Sequence, residues 1–224
     1  MEPYILGLLA SDGFTGVYTR KDGSNSYYSE LELSEKQIIQ DICNKYNIKI
    51  HYRKRIIANK EREFWSVRFN NKIIGEYGKY LTKGRKNIKE LYDSFRDEDK
   101  DEFVRGLFDG DGSVVFKKDK NMKCLDVYRK TVGFSVNYNC PDIKLIIEDF
   151  AERHNIIMSK YLDKRGNGSW YLSFNGVKSL EAIFHAFFDK SVEIKNNRKY
   201  NIFVDFYNKC CSNNKNQNGG NIYA

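Results

Sequence analysis

The sequence predicts an α+β protein made of two copies of one αββαββα unit. Three observations carry that reading. YILGLLASDG at residues 4–13 returns as FVRGLFDGDG at 103–112, with Asp12 and Asp111 in register 99 residues apart. IIQDICNKYNI at 38–48 matches IIEDFAERHNI at 146–156, and WSVRFN at 65–70 matches WYLSFN at 170–175. The three pairs keep the same order, and their offsets drift from 99 to 108 to 105 residues, as loop insertions and deletions produce. Ordered self-similarity of this kind marks an internal duplication.

Each copy opens with the decapeptide as a short helix. Two strands follow, at 14–21 and 26–33 around KDGSNS in the first copy, and at 113–119 and 126–138 around DKNMK in the second. An amphipathic helix comes next. Ser34 and Gln37 predict a capping box before Ile38, Ile39, Ile42 and Tyr46. In the second copy Pro141 occupies the first turn, before Ile143, Ile146, Ile147 and Phe150. Two more strands are expected at 48–57 and 64–70, then at 156–163 and 169–175, with polar turns ANKERE and KRGNG. Helical segments at 71–81 and 88–96, then 177–189 and 198–208, close the copies. The expected units are thus residues 1–97 and 98–209, with 210–224 an Asn/Gly-rich disordered tail.

The strands alternate as half-buried strands do. Trp65, Val67 and Phe69 oppose Ser66, Arg68 and Asn70; Trp170, Leu172 and Phe174 oppose Tyr171, Ser173 and Asn175. Ile48 and Ile50 oppose Lys49, His51, Arg53 and Arg55. Arg, Lys, Tyr, Asn and Ser are side chains that read phosphates and base edges. A net charge of +8 points the same way, toward a polyanionic partner. None of the five cysteines forms C-x-x-C, and the three histidines are scattered, which argues against a zinc or HNH-type site. The short apolar run YILGLLA lacks a basic flank and ends at an aspartate, so neither a signal peptide nor a membrane span is expected. The expected protein is soluble and intracellular.

The decapeptide itself has a physical logic. Gly7 and Ser11 lie one turn apart, as do Gly106 and Gly110. Glycine inside a helix costs about 1 kcal/mol relative to alanine, so two copies call for a reason. Small residues at this spacing let two helices approach closely, and the expected contact is between the two motif helices, around a pseudo-two-fold axis. Asp12 and Asp111 then end their helices, with Gly13 and Gly112 expected to take the left-handed stop. A carboxylate at a helix C-terminus opposes the dipole. Two such ends brought together make a negative pocket suited to a hard divalent cation.

ILGLLASDG and VRGLFDGDG resemble the two motifs of the LAGLIDADG homing endonucleases in their single-chain form, and the resemblance extends to about residue 209. It implies a DNA-binding saddle of two four-stranded antiparallel sheets on the major groove. It also implies hydrolysis of both strands of a long, asymmetric double-stranded DNA target by a monomer, with Mg²⁺ or another divalent cation such as Mn²⁺ or Ca²⁺. By position, Asp12 and Asp111 are the metal-binding and catalytic acids, and the carbonyls of Ser11 and Gly110 are further ligands. The earlier acidic position holds Asp109 in one motif and Ala10 in the other, which makes the halves electrostatically unequal. The family places a basic residue near each metal. TKGRKN offers Lys83 and Lys86, and EIKNNRK offers Lys195, Arg198 and Lys199; Lys86 and Lys195 are the favoured catalytic pair. DNA contacts are expected from Arg20, His51, Arg53, Arg55, Arg62 and Arg68 in the first half. In the second they are expected from Lys117, Arg129, Lys160, Tyr161, Lys164, Arg165, Tyr171 and Ser173. The rival readings on the same scaffold are a maturase that binds intron RNA and a non-cleaving DNA-binding protein; retention of both aspartates favours cleavage.

Overall fold

The computed structural model describes residues 1–82, 87–118, 128–137, 140–164, 168–189 and 192–210. The chain runs α1 (Pro3–Ser11), β1 (Gly13–Thr19), β2 (Asn25–Leu33), α2 (Lys36–Tyr46), β3 (Ile50–Ile57), β4 (Lys60–Phe69) and the short helices α3 (Asn71–Ile74), α4 (Gly78–Leu81) and α5 (Ile88–Asp93). It continues with α6 (Asp97–Asp111), β5 (Gly112–Lys118), β6 (Tyr128–Asn137), α7 (Pro141–Arg153), β7 (Met158–Asp163), β8 (Ser169–Asn175), α8 (Val177–Phe188) and α9 (Asn197–Cys210). Two four-stranded sheets have the same order, β1-β2-β4-β3 and β5-β6-β8-β7, and all their pairings are antiparallel.

The matching sequences occupy matching places. Asn47 and Asn155, aligned in the second repeat, stand just after α2 and α7 with φ 50° and 51°. Asparagine tolerates this left-handed conformation and stops a helix there. Other details differ from the sequence expectation. The capping box does not form: Glu35 is the N-cap of α2 and its side chain caps nothing. Ser34 instead donates to Glu35, and Gln37 to Asp41. ANKERE is mostly strand. Only Ala58 and Asn59 turn, at φ 51° and 61°, the left-handed pair a two-residue hairpin demands, and Lys60–Glu63 pair with Lys54–Ile57. The helix expected over 71–81 breaks at Gly75, where φ is 51°. Helix α9 runs through Cys210, and 211–224 lie outside the described residues.

Helix α1 is buried along Tyr4–Ser11. A helix this apolar needs cover on every side, and α6 supplies much of it. Glycine decides how close the two come. A β-carbon on Gly7 would sit 2.1 Å from the Phe103 carbonyl oxygen, and one on Gly106 would sit 2.1 Å from that of Tyr4. The expected small-residue seam is therefore the contact that joins the halves.

Polar clamps reinforce it. Arg153 of α7 contacts Asp101 of α6 at 2.8 Å and Asp149 at 3.0 Å, and Tyr92 of α5 donates to Asp149 at 2.6 Å. Lys45 bridges Glu2 and Glu193 at 2.6 and 2.7 Å. Burial alone would raise the Asp149 carboxyl, but the bonds from Tyr92 and Arg153 outweigh it and hold it below the ordinary aspartate range.

Two outcomes follow from this packing. Gly106→Ala drives a methyl into backbone and should destabilise the chain by about 3 kcal/mol or more in urea denaturation. A stability within 1 kcal/mol of wild type, taken as about experimental scatter, would exclude the close seam. Because the Asp149 carboxyl titrates lower folded than unfolded, its contribution is complete at neutral pH and fades as pH falls through the carboxylate range. Asp149→Asn should cost about 1–2 kcal/mol at pH 7. The gap to wild type should close below about pH 4; a gap independent of pH would refute the assignment.

Candidate active site and sheet faces

The seam delivers two carboxylates to one place. Asp12 is the C-cap of α1, and its N–H donates to the Leu8 carbonyl at 3.0 Å. Asp111 is the last residue of α6, and both side chains are exposed. A β-carbon on Gly110 would lie 2.0 Å from Ser11 Oγ and 2.9 Å from Asp12 Oδ2. The Asp12 carboxylate therefore leans over the residue that precedes Asp111, and glycine is what leaves it room. Beside this point a cavity of about 60 Å³ is lined by Ser11, Asp111, Ser135, Asn137 and Cys140, among others.

The left-handed stop is not used. Gly112 is extended, with φ −73° and ψ 160°, and Gly13 is absent from the positive-φ glycines. Both open strands immediately after the helix, and space is the reason for glycine. A β-carbon would fall 2.5 Å from the Leu9 carbonyl oxygen at Gly13 and 2.6 Å from that of Phe108 at Gly112.

Asp109 turns inward. Its Oδ2 accepts from the Tyr4 hydroxyl and the Asn196 N–H, each at 2.9 Å, and Oδ1 has no partner among the described residues. Burial pushes this carboxyl up, against those bonds and nearby Arg105. Ala10, its counterpart, is also fully buried. The inequality between the motifs thus lies inside the seam, away from the exposed aspartates.

Among the described residues, Lys199 is a basic residue placed at the motif. Its ammonium donates to the carbonyls of Phe108, Asp109 and Gly110 at 2.5, 2.9 and 3.0 Å. It thus caps the end of α6 and offsets the dipole that Asp111 opposes. Burial lowers it to about 8 despite attraction to Asp109 and Asp12. The ammonium of Lys195, favoured from sequence, lies 4.0 Å from the centre of the Tyr200 ring. Lys83 and Lys86 lie outside the described residues.

The sheet faces away from the helices sort the expected DNA contacts. On the first sheet His51, Arg53, Arg55, Arg62 and Arg68 share one face by register. Arg20 is exposed at the β1–β2 turn and donates to Ser26 at 3.3 Å. Three residues missed in sequence organise this face. Glu32 pairs with Arg53 and, at 2.7 Å, with Arg55; Glu30 sits opposite Arg68; and Tyr28 carries the Arg68 guanidinium 4.3 Å from its ring centre. A groove of about 250 Å³ lies among Glu30, His51, Arg53, Ser66 and Arg68. On the second sheet Tyr161, Tyr171 and Ser173 share the corresponding face. Lys160 does not. It pairs with core residue Leu172, faces the helices and bonds Glu148 of α7, so its expected outward placement is corrected. Lys164 is exposed after β7, whereas Arg165 and the side chains of Lys117 and Arg129 lie outside the described residues.

No cluster of three or more His, Cys, Asp or Glu side chains suited to a metal occurs among the described residues. No helix among them is long and apolar enough to cross a membrane.

The architecture is that of homing endonucleases. It is similar to I-SmaMI bound to uncleaveable DNA with a TTGT central four, with a TM-score of 0.57 and 15% identity over 96% of this chain and 91% of that one. It is similar to I-DmoI in complex with DNA and Mn, with a TM-score of 0.53 and 16% identity over 85% of this chain and 97% of that one. I-SmaMI bound to uncleaved DNA in the presence of calcium ions gives a TM-score of 0.55 at 14% identity, over 96% of this chain and 93% of that one. No protein-family model and no curated protein matches the chain.

The placement of the two lysines makes a direct test. Lys199→Ala uncaps three carbonyls and should cost about 2 kcal/mol in urea denaturation, whereas Lys195→Ala should cost less than about 0.5 kcal/mol. Equal costs would contradict the different roles assigned to them.

Proposed function

We propose that the chain is a divalent-metal-dependent endonuclease that cuts both strands of one long, asymmetric DNA site. The observation that carries this reading is the meeting of Asp12 and Asp111 at adjacent helix ends, where each helix passes into a sheet. The carboxylates fit a hard divalent cation, since both are exposed and offer oxygen ligands; the Ser11 carbonyl is a further proposed ligand, while the Gly110 carbonyl, proposed as another, also accepts from Lys199 at 3.0 Å. Mg²⁺, or Mn²⁺ or Ca²⁺ in its place, supplies charge neutralisation at the scissile phosphates when bound. Asp12 and Asp111 hold it, one from each half. Lys199 fixes the carbonyl end of α6, and so the position of Asp111. Lys195 and Lys86 keep the proposed role of basic residues near the reacting phosphates. The exposed sheet faces bind the duplex, residues 1–97 on one half-site and 98–209 on the other. The protein acts inside the cell as a monomer, since one chain carries both acids.

The test is incubation of the full chain with randomised duplex DNA and Mg²⁺, followed by sequencing of the cut ends. Wild type should cut within one long asymmetric sequence. Asp12→Asn or Asp111→Asn should each lower double-strand cleavage by on the order of 100-fold or more while duplex binding persists. Retention of one sequence without cutting would replace this reading with a non-cleaving DNA-binding protein. Preference for intron RNA over any duplex would replace it with a maturase.

A further inference from the structure

The hydrogen-bond registers make the two sheet faces comparable residue by residue. Gly13, Leu31, Val67 and Ile50 form one rung; Gly112, Phe134, Leu172 and Lys160 form its counterpart. Counting outward from these rungs, Glu30 corresponds to Gly133, Arg68 to Ser173, Glu32 to Ser135, His51 to Tyr161 and Arg53 to Asp163. The faces nearest the seam therefore differ in kind. The first presents guanidiniums already held in place. Glu32, with its side chain 15% exposed, pairs with both Arg53 and Arg55, and Arg68 lies over Tyr28. Gly16 makes that stacking possible, because a β-carbon there would meet the Tyr28 ring at 2.4 Å. The second presents no guanidinium at the matching positions: the Tyr161 and Tyr171 rings, the Ser173 hydroxyl and Asp163 stand there, beside hydroxyl and amide groups engaged with one another. Thr131 donates to Asn175 at 2.9 Å, Ser113 to the Gly133 carbonyl at 3.3 Å and Asn175 to Ser173 at 3.4 Å.

Resting on the DNA reading above, we infer that the two half-sites are read with unequal stringency. The first sheet selects guanine-bearing pairs through arginine forks positioned by Glu32 and Tyr28. The rungs of the second sheet next to the seam accept many bases. The chemistry is direct. Arginine bonds guanine O6 and N7 in a bidentate fork, whereas a serine or threonine hydroxyl serves as donor or acceptor to any base. A fork fixed before binding loses less side-chain freedom on docking and misfits a wrong base more sharply.

The experiment is selection of randomised duplexes by the full chain in Ca²⁺ buffer, with binding as the readout, for wild type, Arg68→Ser and Glu32→Gln. Serine is the residue the second sheet carries at the position of Arg68. Wild type should return a target with one half rich in fixed G·C pairs. Single substitutions there should lower affinity about 10-fold or more, and those in the seam-proximal part of the other half about 3-fold or less. Arg68→Ser should relax the fixed half alone. Glu32→Gln removes a negative charge, so a purely electrostatic role would tighten binding to all duplexes alike. The positioning role instead flattens discrimination in the fixed half. Two equally constrained halves, or relaxation of the opposite half by Arg68→Ser, would overturn the inference and leave the DNA reading standing. No enrichment of any duplex would remove both.

Discussion

Everything at the centre of this protein depends on two helix backbones approaching closer than any side chain permits. At Gly7 and Gly106 even a methyl group would lie far inside van der Waals contact with the opposite backbone. The approach has three consequences. It buries α1 on all sides, which is why Tyr4–Ala10 contains no charged residue. It brings the C-terminal ends of α1 and α6 together, so that the Asp12 carboxylate lies against Gly110, next to Asp111. It also creates an electrostatic problem, because two carboxylates meet two negative dipole ends. Lys199 answers part of it through three carbonyls of α6, at the cost of partial desolvation that draws its own proton affinity down.

Much of this was legible in the sequence because duplication doubles the signal. A single Gly-x-x-x-Ser or Asp-Gly is common, but the same pattern at matched positions in two halves defines a pair of surfaces that fit each other. The period-2 alternation gave the correct core face for β4 and β8, where Val67, Phe69, Leu172 and Phe174 are fully buried. The same period also explains an error. Lys160 and Tyr161 are adjacent in β7 and cannot both face outward; the register gives the outward position to Tyr161.

The placement of the lysines in the second half is not legible in the sequence. Local sequence does not say which of several nearby lysines turns inward. Asn196 decides it here: its N–H bonds the Asp109 carboxylate, and its side-chain oxygen accepts from the Lys199 N–H at 3.1 Å. That fixes the start of α9 so that Lys199, three residues on, points at the end of α6. The Lys195 side chain is left beside Tyr200. Glu30 and Glu32 are unmarked in the sequence for a different reason. A net charge of +8 averages over the chain, while the acidic row matters only because the register sets it beside arginines.

The two halves differ where packing allows it. Leu31 and Phe134, Val67 and Leu172, and Phe69 and Phe174 are apolar, nearly or fully buried pairs at equivalent positions. Close-packed interiors tolerate only side chains of suitable volume and polarity. One residue further along each strand the substitutions change charge outright, from Arg68 to Ser173 and from Glu30 to Gly133. Nothing in the core requires those changes, since these positions touch the solvent face. The seam holds the halves in fixed relation, and the core keeps each sheet in register. Only the outward rows are then left free to vary without disturbing either. A scaffold so divided keeps Asp12 and Asp111 at matching helix ends while its two outward faces differ in charge.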